Sequence, residues 1–558
     1  MLRARLCLCV LSAALLQSEA VYAAPAPPDA GQTLRELQPP PMPDAPREIP
    51  PLTLEDRGES NPASDIRFMI RSVQITGNSK IPTPVLSALV ANVVGAEHSL
   101  TELRAAVARI TDYYRQRGYP VARAYLPAQE IREGAVTIGI IEGRLGKLVV
   151  ENHSRLSDAR VATYVDHVKE GAVIKSSEVD RSLLLLNEVP GVGGSRATLQ
   201  PGANVGTSEL VIAVNPAAAF SGDIEADNYG NRYTGQYRLG GTLNINSPLR
   251  IGDQVTLNAL SSGKDLRYGR IAYQLPVGGD GLRAGAAYFD TRYRLGKDFS
   301  VLEAHGTGIG GSAFVIYPFI ITQKSNMTGT VSLEERHLTD YADATATVTE
   351  KHVYLANLGF SGAHRDTWGG SGLSSVNLSL ALGDLVINSP IARLIDDFSA
   401  RTDGRYVRLS YGASRLQQLT SRTFMSVALS GQRANKNLDT SEKFSLGGAD
   451  GVRAYPQGED IGDEGYMLNV ELRQKITPAL QGILFYDTGS VTTNREPFDA
   501  SLPKSRKLTG AGVGVDVRLF GFQAKAALAW RTDGGEPNSI PPSAVRTPTA
   551  WMQIRRPF

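Results

Sequence analysis

Cysteine is almost absent from this chain. Of its 558 residues only Cys7 and Cys9 carry a thiol, and both lie in the first 23 residues. That segment is predicted to be removed as a secretory signal. The remaining chain then has no thiol for a disulfide, for a thiolate metal site or for a cysteine nucleophile.

Long apolar runs are also missing. The early run from Leu6 to Leu16 follows Arg3 and Arg5 and precedes a small-residue cleavage pattern at Ala23, which is typical of a signal peptide over residues 1–23. No later stretch reaches the roughly 18 to 20 apolar residues that a transmembrane helix needs. If the mature protein spans a membrane, it must do so as a β-barrel.

An excess of charge of one sign is absent as well. The formal net charge is only +2, which argues against a protein that binds nucleic acid through a dominant basic face. We therefore expect no nucleic-acid partner.

The chain lacks the common catalytic motifs. It has no Walker loop, no Gly-x-Ser-x-Gly elbow and no His-Glu-x-x-His, and its seven histidines are scattered. Residues 306–311 match a dinucleotide fingerprint, but residues 313–321 are strand-like where that fingerprint requires a helix. The sequence therefore predicts no enzyme activity, no cofactor and no metal site.

Proline is abundant directly after the signal. Residues 24–65 include the runs Pro39–Pro41 and Pro50-Pro51 and lack sustained apolar periodicity, so they are expected to form an extended linker. Within it, Gln32 to Gln38 has the composition for two helical turns before the prolines stop them. A docked short helix and a disordered leader both remain open for this segment.

The pattern of a folded α+β module begins near Phe68. An alternating segment from Met69 to Ile75 predicts a strand, and two apolar series at helical spacing then predict two helices. Val121–Leu126 and Ala135–Ile141 predict two more strands. Residues 66–143 are expected to form one module.

The same order of elements recurs in residues 144–216. The predicted elements are a strand at Leu145–Glu151, helices at Ser157–His167 and Ser176–Glu188, and strands at Ser195–Leu199 and Glu209–Val214. Five elements repeated in order over about 75 residues indicate a duplicated module.

Helical periodicity disappears after Pro216. Short segments in which apolar and polar residues alternate then continue to the C-terminus, for example from Ala511 to Leu519. Such alternation suits strands with lipid on one side and a wet lumen on the other, and about 21 residues per strand and connection give roughly sixteen strands. Residues 217–558 are thus expected to form a transmembrane antiparallel β-barrel, which the terminal Phe558 also favours. Soluble β-solenoids or β-sandwiches are the alternative.

Several segments resemble the haemolysin secretion/activation family, the outer-membrane transporters of two-partner secretion. The matching segments are Phe444–Tyr455 and Gly462–Gly465 for the long-loop signature, Phe485–Gly489 for the second signature, and Asp227–Gly230 with Asn246–Asp253 for the barrel start. The resemblance extends from residue 66 to the C-terminus.

This resemblance implies two small α+β POTRA domains in the periplasm, residues 66–143 and 144–216, followed by the barrel of about sixteen strands in the bacterial outer membrane. The protein is expected to export a large secreted partner protein of the haemolysin or adhesin type through a porin-like channel. The leader is expected to carry a helix that plugs the barrel and leaves it during export. Contacts are expected with outer-membrane lipid and, through the C-terminal strand that ends at Phe558, with the barrel-assembly machinery.

Two other functions remain open. One is a barrel-assembly insertase of the same superfamily, and the other is an outer-membrane enzyme such as a protease or phospholipase. Two modules behind a proline-rich leader favour a transporter over an insertase. The missing nucleophile motifs disfavour an enzyme.

The two family signatures are expected to meet in the lumen. Alternation along Leu480–Val491 places Asp487 on the lumen side, and the family implies Arg453 as its bidentate partner. Ala454 stands where the family usually has glycine, and alanine would be strained there if the position required a positive φ. The predicted loop-to-lumen motif comprises Val452, Arg453, Tyr455, Phe485, Asp487 and Gly489. A solvated surface loop with a free arginine is the alternative.

Capture of the partner protein is predicted on the first module. An exposed strand edge beside an amphipathic helix can accept an extended peptide as an added strand. The candidate edge is Val121, Ala122, Arg123, Ala124, Tyr125 and Leu126, beside a helical face of Leu103, Val107 and Tyr114. Alternatively, the three helix residues belong to the core of the module.

Overall fold

The structure is a computed structural model that describes residues 27–37, 45–54, 67–500 and 503–558. The predicted signal peptide, residues 1–23, lies outside these described residues. None of the helices in the described ranges has the length and the apolar content to cross a membrane.

The leader contributes one helix and one short strand. Helix α1 spans Ala30–Glu36 and strand β1 spans Thr53–Leu54. The Asp29 carboxylate caps α1 by accepting a hydrogen bond of 2.8 Å from the backbone N–H of Gln32, as acidic N-cap residues do. A short helix thus lies in this segment, and it begins two residues before the predicted start.

The first module holds its strands in two small sheets. Its elements are β2 (Arg67–Ile70), β3 (Ser72–Thr76), α2 (Thr83–Leu89), β4 (Ala96–Ser99), α3 (Leu100–Gln116), β5 (Arg123–Tyr125) and β6 (Ala135–Ile141). Strands β2 and β4 pair with each other, and β3, β6 and β5 form a second sheet in that order. Strand β5 therefore lies at a sheet edge.

The prediction of one strand from Met69 to Ile75 is wrong in detail. The backbone breaks at Arg71, so that β2 pairs with β4 while β3 pairs with β6. Sequence patterning does not reveal β4, because its four residues carry no apolar alternation and its pairing with β2 defines it. Ser99 at its end also starts α3 through a capping box with Glu102.

The second module follows the predicted order of elements. It consists of β7 (Arg144–Asn152), α4 (Asp158–Val165), α5 (Ser176–Asn187), β8 (Val192–Pro201) and β9 (Thr207–Pro216). Its sheet has the order β1-β8-β9-β7, and the leader strand β1 pairs in parallel with Thr198 and Leu199 of β8. The linker, expected only to be extended, thus adds a strand to this module.

Sixteen antiparallel strands close into a barrel, as predicted. The first eight are β10 (Phe220–Asp227), β11 (Arg238–Asn246), β12 (Gln254–Ser261), β13 (Leu266–Val277), β14 (Leu282–Arg294), β15 (Ala304–Ile321), β16 (Ser325–Ala342) and β17 (Thr347–Asp366). They continue with β18 (Gly372–Ile387), β19 (Gly404–Gln418) and β20 (Thr423–Ala434). The last five are β23 (Glu464–Lys475), β24 (Leu480–Thr492), β25 (Ser505–Leu519), β26 (Phe522–Asp533) and β27 (Thr549–Pro557).

Three short elements lie in loops on the side of the barrel away from the modules. Helix α6 spans Pro390–Asp397, and strands β21 (Phe444–Ser445) and β22 (Ile461–Gly462) pair with each other in the long loop. Strand β27 pairs with β10 and closes the barrel. The exact domain boundaries at residues 66, 144 and 217 stay predictions.

The barrel wall has the expected alternation. On β24 the side chains of Leu484 and Tyr486 are 57% and 44% exposed, whereas Phe485 and Asp487 between them are 5% and 0% exposed. Exposed apolar side chains therefore point outward, and Asp487 points into the lumen.

The glycine-rich segment that matches a dinucleotide fingerprint is part of strand β15. Gly306 and Gly310 alternate with outward-facing residues, and a Cβ atom on either would approach the rings of Tyr293 and Phe289 on β14 to 2.5 and 2.6 Å. These glycines make room for aromatic side chains inside the barrel. They do not form a nucleotide site.

Candidate functional site

The long loop between β20 and β23, residues 435–463, folds back into the barrel. The side chains of Val452, Ala454 and Tyr455 near its tip are at most 1% exposed. They pack in one apolar cluster with Phe485 of β24 and Leu508 of β25. The loop tip is therefore packed inside the barrel wall as an insert in the lumen.

Arg453 reaches Asp487 from the tip of this loop. Its Nε and Nη2 atoms donate to the two carboxylate oxygens of Asp487 at 2.8 and 2.7 Å, and its backbone N–H donates to the same carboxylate at 3.1 Å. Such a two-pronged, charge-assisted contact fixes orientation as well as distance. The loop tip is thereby held in one register against β24.

Further groups complete the surroundings of the guanidinium. Its Nη1 donates to Glu471 of β23 at 2.7 Å, and the guanidinium carbon lies 3.5 Å from the ring centre of Phe485. Asn469 donates to Asp487 at 2.8 Å and to the carbonyl of Gly451 at 3.1 Å. Arginine suits this setting because its planar cation binds carboxylates and stacks on aromatic rings.

Glu471 and Asn469 are not part of the predicted loop-to-lumen motif. Both residues lie on β23, the strand beside β24. Glu471 pairs with Phe485, and Asn469 pairs with Asp487. The signal was present in principle, because a hairpin register drawn from Asp487 places both residues on the lumen side.

Main-chain carbonyls of the loop tip are also held by the wall. The Trp551 indole N–H donates to the Arg453 carbonyl at 2.7 Å, and the Thr549 hydroxyl donates to the Ala454 carbonyl at 2.9 Å. The single hydrogen of the Tyr455 hydroxyl is shared between two backbone carbonyls, those of Asp533 and Gly535, both at 3.0 Å. The tip is therefore fixed to β27 and to the end of β26 as well as to β24.

Ala454 is not strained in the position where the family usually has glycine. It is not among the residues with positive φ. Its methyl group instead packs directly against Gly510 of β25, where any side chain would collide with it. Gly489 has a matching role, because a Cβ atom there would collide with Leu446 of the loop. Both glycines let the loop approach the wall closely.

Two buried glutamates also join the loop to the wall, through three ion pairs. Glu442 binds Arg336 of β16 at 2.7 Å and Arg408 of β19 at 2.9 Å. Glu459 binds Arg506 of β25 at 2.6 Å. Both glutamates are at most 1% exposed, so removing one partner would leave a buried charge without compensation.

Helix α1 is the second insert in the lumen. Ala30 and Leu34 are 2% and 1% exposed and pack with wall residues that include Phe289 and Tyr293 of β14. The backbone N–H of Ala30 donates to Asp340 of β16 at 2.8 Å. The apolar side of this two-turn helix thus lies against β14 to β16.

Helix α1 also touches the inserted loop. Asp29 accepts a hydrogen bond of 2.6 Å from the Thr440 hydroxyl of the loop and lies 3.4 Å from the Lys351 ammonium of β17. At the other end, Glu36 accepts a hydrogen bond of 3.2 Å from Asn231. The two inserts therefore share a surface inside the barrel.

Arg35 of α1 occupies an electrostatically unfavourable place. Burial, Arg408 and Arg336 oppose its charge, and the one carboxylate that favours it, Glu442, is already bound by both of these arginines. Like charges in a partly desolvated lumen repel each other more strongly than in bulk water. The helix is therefore held with less charge compensation than the loop.

The leader is anchored again outside the lumen. Arg47 binds Glu188 at the end of α5 at 2.8 Å, and Glu48 contacts Arg365 of β17. Ile49 is 5% exposed within the core of the second module. The chain is thus fixed between β17 and the second module before it reaches β1.

The candidate edge of the first module borders a groove of about 1620 Å³. Ala124, Leu126, Leu103 and Val107 line it, together with Thr111 of α3. The backbone N–H of Ala124 is not open, because it donates to the Thr111 hydroxyl at 3.0 Å. An added peptide strand at this edge would have to compete with that contact.

The helix residues of the candidate site belong to the core of the module. Leu103 and Val107 are 1% and 4% exposed, so only a small part of each side chain reaches the groove. Tyr114 does not line the groove; it is 1% exposed, and its hydroxyl donates to buried Glu142 at 2.9 Å. Although burial raises the pKa of Glu142, hydrogen bonds from Ser79 and from neighbouring groups hold that pKa below its ordinary value.

The chain matches two models of known protein families. A model described as haemolysin secretion/activation protein ShlB/FhaC/HecB matches residues 206–517. A model of the POTRA domain of ShlB type matches residues 68–143.

Named relatives match most of the chain. It is similar to the heme/hemopexin transporter protein HuxB of Haemophilus influenzae strain 86-028NP, with 30% identity over 474 residues that cover 82% of this chain and 83% of that protein. It is also similar to the outer membrane transporter CdiB of Dickeya dadantii strain 3937, with 23% identity over 504 residues that cover 87% of this chain and 84% of that protein.

Solved structures share the fold. CdiB from Escherichia coli superposes with a TM-score of 0.69 at 21% identity, covering 95% of this chain and 96% of that chain. BamA from Haemophilus ducreyi lacking POTRA domains 1-3 superposes with a TM-score of 0.53 at 14% identity, covering 88% of this chain and 100% of that chain.

Proposed function

The chain belongs to the haemolysin secretion/activation family, and on this premise we propose how its parts export a partner protein. It is an outer-membrane transporter of two-partner secretion, with its POTRA domains in the periplasm. It translocates a secreted partner protein from the periplasm to the cell surface. The steps proposed below concern the residues that capture this passenger and the inserts that close the pore.

In the resting state, both inserts close the lumen. The observation that supports this proposal is the shared position of α1 and the loop tip inside one barrel, each packed against wall strands. The loop carries the Arg453–Asp487 contact and stays attached to the wall. Helix α1 leaves the lumen when the passenger enters, because it is short and is held by fewer ionic contacts.

Passenger capture takes place at the groove between α3 and β5 of the first module. An extended passenger segment adds to the β5 edge, and its side chains enter the groove beside Leu103 and Val107. Backbone pairing supplies affinity in this mode of recognition, and the groove supplies selectivity. Thr111 releases the Ala124 N–H when the passenger strand forms.

The groove can be tested by filling it. Ala108 is exposed on α3 and lines the groove, whereas Ala105 is exposed on the same helix and does not line it. Ala108→Tyr should weaken binding of the passenger's N-terminal region by about tenfold or more, since a bulky side chain blocks the edge. Ala105→Tyr should bind like the wild type. Equal affinities for both variants would place capture elsewhere.

The passenger is proposed to be a large protein of the haemolysin or adhesin type. Export uses no covalent catalysis by this chain and draws on binding energy and on folding of the passenger outside. The outward apolar side chains of the barrel contact outer-membrane lipid. The C-terminal strand β27 and Phe558 present the assembly signal to the barrel-assembly machinery.

The overall function is tested by secretion of a co-expressed partner. The candidate passenger is any large secreted protein found to be encoded beside this chain, and its amount outside the cell is measured with and without this chain. Secretion should require the chain and should fail for a variant that lacks residues 67–143. Equal secretion without the chain would contradict the proposal. A general loss of other barrel proteins from the membrane would instead support an insertase.

A further inference from the structure

Three potential metal ligands meet on the outer surface of the barrel, away from the lumen. They are Glu335 and His337 on β16 and His352 on β17, and their donor atoms all lie within 4.8 Å of one another. The two histidines are directly opposite each other across the strand pair. Their rings are 3.8 Å apart between centroids.

The strand pattern places this cluster on the outer face. Leu333 precedes it by two residues on β16 and is 62% exposed, and Tyr354 follows His352 by two residues on β17 and is 46% exposed. The residues between, Arg336 and Val353, are 6% and 0% exposed and face inward. Because strand side chains alternate, all three potential ligands share the outward side.

The cluster lies near the rim of the barrel that is farther from the modules. The hairpin loop that joins β16 and β17, residues 343–346, is on that side. Outward residues of β16 are apolar at Val331 and Leu333 and become polar at Glu335 and His337. The ligands therefore sit just beyond the apolar belt, where water and dissolved ions reach them.

The geometry needs little change to hold an ion. The His337 Nε2 and Glu335 Oε1 atoms are 3.0 Å apart, close to the roughly 3.4 Å between two ligand atoms of a tetrahedral ion with bonds of about 2.0 to 2.2 Å. The side chains of Glu335 and His337 are 50% and 41% exposed, so they can rotate towards a shared centre. The donor atom of His352 lies within 4.8 Å of the other two, so His352 supplies the third donor.

We propose that Glu335, His337 and His352 form an external binding site for a borderline divalent metal ion of the Zn²⁺ class. Two imidazoles and one carboxylate suit zinc, nickel or copper, whereas calcium and magnesium prefer oxygen ligands alone. Three protein ligands leave a fourth position open to water. The ion would join β16 to β17 at the outer rim.

This site differs from the sequence expectation of no metal ligands. The seven histidines are scattered along the chain, and His337 and His352 become neighbours only through the register of the β16–β17 hairpin. A bound ion holds both imidazoles in the neutral form that ligates metal.

The test is a metal titration of the full chain, purified in detergent without a polyhistidine tag. Zn²⁺ affinity is measured by competition with a chromophoric chelator. The double variant His337→Ala/His352→Ala should bind Zn²⁺ about 100-fold more weakly or worse, because loss of mere outer-shell partners already changes metal affinity about 10- to 100-fold. Bound Co²⁺ should give the absorption spectrum of a four-coordinate ion in the wild type only.

His364→Ala is the matched control. His364 lies on β17, the strand of His352. It is exposed near the opposite rim of the barrel and hydrogen-bonds Ser325 at 2.7 Å. This control should keep wild-type affinity, and all variants should keep the heat-modifiable gel mobility of a folded barrel. Equal affinity of the wild type and the double variant, or a preference for Ca²⁺ over Zn²⁺, would overturn the proposal. An equal loss in His364→Ala would do the same, since it would indicate unspecific surface histidines.

Discussion

The two inserts in the lumen are held in different ways. The loop of residues 435–463 reaches the wall through buried ion pairs, and Arg453, Glu442 and Glu459 each bind a partner on a different strand or pair of strands. Helix α1 has two turns, an N-cap at Asp29 and a small apolar side. The loop is fixed by ion pairs to several separate strands, whereas helix α1 is held by a small number of contacts along two turns.

This difference suggests that the two inserts have different roles in transport. A buried ion pair adds little net stability, but breaking it by removing one partner is strongly unfavourable. The loop should therefore keep one arrangement through the transport cycle. A two-turn helix is marginal alone, so most of its stability comes from packing. Binding energy of a passenger can replace that packing, and the helix is the insert suited to leave.

The largest expected effect comes from breaking the best-fixed contact. Arg453→Ala leaves the buried Asp487 carboxylate without its cation, which costs about 3 to 5 kcal/mol, and Asp487→Ala leaves Arg453 with Glu471 but without its anchor on β24. Each should reduce secretion about tenfold or more, because the loop tip loses its register. Barrel closure depends on backbone hydrogen bonds that neither change touches, so membrane abundance should be close to that of the wild type. Secreted passenger is measured against barrel abundance.

The double variant distinguishes a shared contact from two separate roles. If Arg453 and Asp487 act through one contact, the double variant should secrete about as well as either single variant. Arg453→Lys keeps the charge but loses the fork and the stacking on Phe485, so it should fall between the wild type and Arg453→Ala. Normal secretion by both single alanine variants would show that the loop needs no such anchor.

Much of the loop-to-lumen site can be predicted from the sequence, because strand alternation decides which side chains face the lumen. The strand alternation that makes Leu484 and Tyr486 exposed also directs Asp487 inward, and a carboxylate in a partly desolvated lumen requires a cation. The family resemblance then pointed to Arg453. The contact of Arg453 with Asp487 agrees with that reasoning, while its role in transport stays a prediction.

Other features of the fold and of the site depend on pairing between distant segments, so the sequence pattern does not predict them. Strands β1 and β4 carry no apolar alternation and are defined by their partners β8 and β2. The Thr111 hydroxyl that caps the Ala124 N–H comes from another element, so the edge looked more open in sequence than it is. The neighbours Glu471 and Asn469 follow only from the hairpin register.

A second prediction concerns the insert that is held less firmly. Deleting residues 27–37 removes α1 but retains the Arg47–Glu188 contact and β1 outside the lumen. Ion conductance in planar bilayers should rise, because the lumen loses one of its two inserts, and secretion should be partly retained. The deletion should not alter barrel abundance. Unchanged conductance would mean that the loop alone closes the pore.

A smaller effect is expected from the N-cap of the helix. Asp29→Ala removes the cap and the contact with Thr440, and loss of such a cap costs about 0.5 to 2 kcal/mol. Brief openings should become more frequent in single-channel recordings, without the steady conductance of the deletion. Asp29→Asn keeps a capping side chain and should lie closer to the wild type. Identical records for Asp29→Ala and the wild type would show that capping does not limit release.

The smallest effect should have the opposite sign. Arg35 faces Arg408 and Arg336 across a lumen in which one carboxylate, Glu442, already serves both. Arg35→Gln removes this repulsion, which is on the order of 1 kcal/mol at the effective dielectric of a protein interior, and should stabilise the helix in its place. Openings should then become rarer and passenger secretion slower, while the loop contacts remain as they are. If Arg35→Gln instead opens the channel more often, Arg35 stabilises the docked helix. The weaker charge compensation of the helix would then not explain why it leaves the lumen.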